Sequence, residues 1–89
     1  MEREDYSVFE IDRDNCAEEI DATSFVHTKD GISFRVRDAV CAVSTDEQAM
    51  RVSTQTSDKI INARVFRFHG EGWVVMTNDN SWIITRNDK

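Results

Sequence analysis

From Ile32 to Arg37 apolar and polar residues alternate without a break. Ile32, Phe34 and Val36 fall on one side of an extended chain, and Ser33, Arg35 and Arg37 on the other. A period of two is that of a half-buried strand. Upstream, "TSFVHT" is joined to this run by Lys29-Asp30-Gly31. Asp-Gly suits a type I′ turn, whose two central residues both need positive φ, so the pattern predicts a hairpin. "YSVFEI" (Tyr6–Ile11) and "AVCAVS" (Ala39–Ser44) predict two further strands. "STDEQAMRVST" points both ways. Ser44 with Glu47, or Thr45 with Gln48, would form a helical capping box, whereas Met50–Thr54 has strand-forming residues. The reading adopted is a polar turn and then a strand over Ala49–Thr54, followed by a loop, "TQTSDK".

One segment carries a helical signal. In "DNCAEEIDA" (Asp14–Ala22), Asn15 can cap and Glu18 stands three residues later. Acids crowd the first turns, where the helix dipole favours them. A short helix over about 15–22 is therefore expected, held by packing of Cys16, Ala17 and Ile20.

The last third reads as a three-strand meander, "ARVFRF", "WVVMT" and "SWIITR", with turns at "HGEG" and near "NDN". A four-residue first loop sets Phe68 opposite Trp73 and Phe66 opposite Val75. An even-numbered second loop keeps Trp82 and Ile84 on the face of Trp73 and Val75. Both faces of the meander are then rich in apolar residues, so something must cover the second one. The fold class expected is mainly β, all-β or α+β: a small antiparallel barrel or sandwich with a C-terminal meander and one short N-terminal helix.

Composition narrows the class. At 89 residues the chain makes a single domain, divided here into an acidic segment, 1–21, and a β body, 23–89. No run approaches the length of a transmembrane helix, and the polar, acidic start resembles neither a signal nor a transit peptide. Cys16 and Cys41 form no CxxC pair, which fits reduced thiols in a cytoplasmic protein. Residues 2–21 carry a net charge of −7 and the remainder +1. An acidic block of this kind repels nucleic acid and attracts basic surfaces.

No chemical motif stands out. Cys16, Cys41, His27 and His69 match no metal-ligand spacing, and no metal or cofactor is expected. "GEG" lacks the Lys-Ser/Thr of a phosphate loop and joins two strands. The chain is therefore expected not to be an enzyme. The function expected is protein binding: a small acidic module that inhibits or sequesters a basic, nucleic-acid-handling partner. Phage anti-restriction and anti-CRISPR proteins, immunity proteins and antitoxins share this profile of size and charge. Glu10, Asp12, Asp14, Glu18 and Glu19 would supply the charge, and Trp73 or Trp82 a packed anchor. Two rivals stand beside it. One is a small barrel that binds single-stranded nucleic acid through Arg35, Arg37, Arg64 and Arg67. The other is a structural subunit of an assembly, and a homodimer through the second face of the meander is also open.

Overall fold

A computed structural model describes residues 5–68 and 71–87. Ten strands follow one another: β1 (Tyr6–Ile11), β2 (Ala17–Ile20), β3 (Ala22–His27), β4 (Gly31–Val36), β5 (Ala39–Ser44), β6 (Ala49–Ser53), β7 (Asp58–Asn62), β8 (Arg64–Phe68), β9 (Gly72–Met76) and β10 (Ser81–Arg86). They form two five-stranded antiparallel sheets. Sheet 1 has the order β2-β1-β10-β9-β8, and sheet 2 the order β3-β4-β5-β6-β7.

The two sheets are joined at both edges by the chain itself. Only Asp21 separates β2 from β3, and only Ala63 separates β7 from β8. Each pair is one long strand that bends from one layer into the other, which is how corners of packed sheets are turned. With those pairs counted once, the ten segments reduce to eight long strands. Every neighbour is then a sequence neighbour, except that β10 pairs with β1 and closes the circuit. The connectivity is that of an up-and-down barrel, flattened into two layers.

Alternation along the strands builds the core between those layers. Sheet 2 contributes Ile32 and Phe34 from β4, Cys41 and Val43 from β5 and Met50 from β6; sheet 1 contributes Val8, Val65, Trp73, Val75 and Ile84. In β3 the register shifts between Thr23 and Val26, where Ser24 adopts φ 58°. Phe25 lies in that bulge and packs on Phe34, with ring centroids 5.5 Å apart.

Gln48 secures the second corner. Its amide Nε2 donates to the carbonyl of Val65, and its Oε1 accepts from the Val65 N–H, each at 3.0 Å. Its own carbonyl accepts from the N–H of Ala63 at 3.1 Å. Beside β8, an edge strand of sheet 1, one side chain thus does what a further strand would do for Val65.

Several expectations need correction. The helix over 15–22 does not form. Asp12 Oδ1 instead accepts from the N–H groups of Asp14 and Cys16 at 2.9 Å, and Asn15 takes φ 62°, so that the chain turns back. Ala17–Ile20 then pairs with β1, Val8 opposite Ile20 and Ile11 opposite Ala17. The strand ladder satisfies the backbone and seats Ile20 beside Val8, which outweighs a local capping signal. The hairpin of β3 and β4 is present, but its turn is not of the primed type: positive φ occurs at neither Asp30 nor Gly31. Arg37 is not a strand residue; it takes φ 58° in a tight turn between Val36 and Ala39. Strand β7 lies partly in what reads as a loop. In the meander, Arg67 and not Phe68 stands opposite Trp73, and Val65 and not Phe66 opposite Val75. The second turn does keep Trp82 and Ile84 on the face of Trp73 and Val75.

Candidate interaction surfaces

Three regions stand out on the described residues: an acidic hairpin, an apolar outer face and a cleft at one end of the two layers.

The hairpin of β1 and β2 gathers all five acids expected to meet a partner. Glu10 stands opposite Glu18, Glu19 is opposite Phe9, and Asp12 and Asp14 lie in the turn. The turn is fastened to the one between β9 and β10. Asn80 Nδ2 donates to Glu10 Oε2 at 2.6 Å, and Arg13 pairs with Asp79 at 2.8 Å. Glu18 and Glu19 are exposed on a strand whose far side has no neighbour in its sheet. Charged residues on such an edge discourage further strand pairing.

The outside of sheet 1 follows from the meander register. Phe9, Ile83, Val74 and Phe66 stand side by side across β1, β10, β9 and β8, and Glu19 on β2 ends the row. Ile11 and Met76 lie in the next row, with Arg64 at its end. Phe66 is 46% exposed, Phe68 53% and Met76 46%. The corresponding central row of sheet 2 is Val26, Ser33, Ala42, Arg51 and Ile60, broken by polar side chains, with Arg51 near Asp58. Among the described residues only sheet 1 therefore has an unbroken apolar row on its outside, and single exposed apolar residues do not explain a row of four.

The cleft lies where β1, β8, β9 and β10 meet the end of β3. It has a volume of about 500 Å³, and Tyr6, His27, Arg67, Trp73 and Arg86 are among its walls, with Asp5 and Glu71. Tyr6 and His27 join the two sheets through a 2.8 Å hydrogen bond between the phenol oxygen and Nε2. The Tyr6 and His27 rings lie 5.9 and 5.6 Å from Trp73. The Arg67 guanidinium lies over the Trp73 ring at 5.5 Å, in cation–π range. Trp73 is 3% exposed, and its buried Nε1 has no hydrogen-bond partner.

Both tryptophans stand on the core-facing side of sheet 1. Trp73 is in the core, and Trp82 is half-buried against an apolar cavity of about 280 Å³ that also touches Val8, Phe34, Cys41 and Met50. The four arginines of the nucleic-acid reading do not share a surface. Arg35 is outside sheet 2, Arg37 is in a turn, Arg64 is outside sheet 1, and Arg67 is over Trp73 on the inward side. Cys16 is exposed in the acidic turn, and Cys41 is buried, where desolvation pushes its thiol pKa up. His69 lies outside the described residues. Sequence reasoning did not single out Tyr6, His27 and Arg86, which the fold brings together at this cleft. The usable signal was Arg86, which stands two residues from Ile84 on the core-facing side of β10.

No protein family matches this chain, and no curated protein or solved structure is detectably similar to it.

Proposed function

We propose that this chain is a non-enzymatic protein-binding module that inhibits or sequesters a cytoplasmic partner with a basic surface, of the kind that handles nucleic acid. One observation carries the reading: the acidic edge strand β2 borders the one continuous apolar face, so that Glu19 extends the row Phe9–Ile83–Val74–Phe66. Apolar area supplies the affinity of an interface, and charge at its rim supplies orientation and rate of encounter. Asp12 and Asp14 in the adjoining turn add charge to that rim, while Glu10 and Glu18 face the other side of the hairpin and contribute through its overall negative field. The partner binds across sheet 1, with its Lys and Arg residues towards the hairpin.

The test is a pull-down from host lysate with and without nuclease, using the natural chain, the double variant Glu18→Lys/Glu19→Lys, and Phe66→Ser. A stoichiometric protein should survive nuclease, weaken with salt and be lost with either variant, while both variants keep the natural melting temperature. Capture of nucleic acid, or of proteins lost on nuclease treatment, would overturn the reading in favour of the arginines. Unchanged capture by both variants would show that sheet 1 is not the interface.

A further inference from the structure

The inward face of sheet 1 should be apolar along its whole length, because it covers the core. It is so at Val8, Val75 and Ile84; Glu10 and Glu18 break the pattern in the acidic hairpin, and at the end nearest His27 the same face presents two arginines. Arg67 is opposite Trp73, and Arg86 is opposite Tyr6. Charged residues at core-facing positions oppose the binary pattern that builds the sheet, and such departures concentrate at functional sites. Among the described residues neither guanidinium forms an ion pair. Both line the same cleft, beside the tilted rings of Tyr6, His27 and Trp73, and the pocket is of the size that takes small molecules.

We propose that this cleft is a binding site for a small planar aromatic carboxylate, separate from the protein interface. The aromatic ring of the ligand packs against Tyr6 and His27, which the 2.8 Å hydrogen bond between them holds in place. The Arg67 guanidinium is held over the Trp73 ring at 5.5 Å, and among the described residues it forms no ion pair, so its N–H groups can meet a carboxylate. Arg86 supplies the second cation. Asp5 and Glu71 also line the cleft and set a limit on charge. They repel a polyanion, so a ligand with a single negative charge is favoured over inorganic phosphate or a nucleotide. The guanidiniums disfavour a quaternary ammonium ion, which an aromatic cage without them would accept.

The experiment titrates the full chain with indole-3-carboxylate, indole, inorganic phosphate, a nucleoside monophosphate and choline. Calorimetry reads the affinity, and the side-chain N–H resonance of Trp73 reports the location. Indole-3-carboxylate should bind and shift the Trp73 resonance more than that of Trp82. Arg67→Gln and Arg86→Gln should each weaken binding by about tenfold or more, the usual effect of losing a charged hydrogen-bond donor. Arg35→Gln, on the outside of sheet 2, should leave it unchanged. Absence of binding by the carboxylate at millimolar concentration, or tighter binding of phosphate, nucleotide or choline, would overturn the assignment. So would arginine variants that bind as the natural chain does. These outcomes are independent of the protein interface, since none of the cleft variants alters the row Phe9–Ile83–Val74–Phe66.

Discussion

Gln48→Ala tests whether a side-chain amide completes the corner between the layers. The natural side chain makes three hydrogen bonds: two with the backbone of Val65 at 3.0 Å and one to the carbonyl of Thr45 at 2.8 Å. Val65 is 3% exposed. Truncation therefore leaves an N–H and a carbonyl with little access to water, and such unpaired groups cost about 1–3 kcal/mol each. Partial rescue by water entering the space of the lost amide brings the expected loss to about 2–4 kcal/mol. That is a large fraction of the roughly 4–13 kcal/mol available to a domain of this length. It corresponds to a fall in melting temperature of roughly 10–30 °C. Urea unfolding followed by tryptophan fluorescence measures it, with the slope of the transition unchanged. Hydrogen exchange at the Val65 amide should accelerate more than at Val75, its neighbour on β9. Backbone strain is separable. Gln48 has φ 52°, so Gln48→Gly should recover about 1 kcal/mol relative to the alanine variant. If Gln48→Ala lies within about 0.5 kcal/mol of the natural chain, the amide bridge contributes nothing and the reasoning fails.

Two further changes probe the core. A methyl group at Gly72 would run into the backbone carbonyl of Ile84, at a residue whose φ of 143° already disfavours any side chain. Gly72→Ala should cost at least about 4 kcal/mol, and a melting temperature within roughly 5 °C of the natural value would contradict the close approach of β9 and β10. Burial raises the thiol pKa of Cys41 above its ordinary 9.0 in the folded chain. The folded state therefore favours the neutral thiol; the stabilisation is complete below the unfolded pKa and is lost as pH rises through the raised folded value. The urea midpoint should fall on that alkaline limb, and Cys41→Ala should flatten it. An identical alkaline slope in the variant would assign the loss to other groups.

Much of the β architecture is legible in the sequence, because period-two alternation marks β4 and the meander strands directly. The failures share a cause: local signals compete with pairing partners that lie far away in sequence. Asn15 and Glu18 resemble a capping box, but nothing local says that Val8 and Phe9 stand ready to pair with Ile20 and Glu19. Asp58–Asn62 carries only two apolar residues, Ile60 and Ile61, so β7 is invisible until β6 is placed beside it. Glycine misleads in a consistent way. Gly31 and Gly72 each follow a polar stretch and read as turn residues. Both instead begin strands, where the missing side chain lets a neighbouring strand's carbonyl close in, that of Val43 in one case and of Ile84 in the other.

The glycine at 72 also decides the surfaces. With Gly72 in the ladder opposite Phe68, the register of β8 moves by one residue from the one expected with Gly72 in the turn. Since side chains alternate, that single step reverses every side chain on β8. It puts Phe66 and Phe68 on the outside, where Phe66 completes the apolar row across sheet 1. It puts Arg67 on the inside, over Trp73 and into the cleft. The candidate protein interface and the candidate carboxylate site are therefore two results of one choice of register. Residue types alone could not reveal either, because Phe66 reads as core and Arg67 as a solvated surface charge until the pairing of β8 with β9 is known.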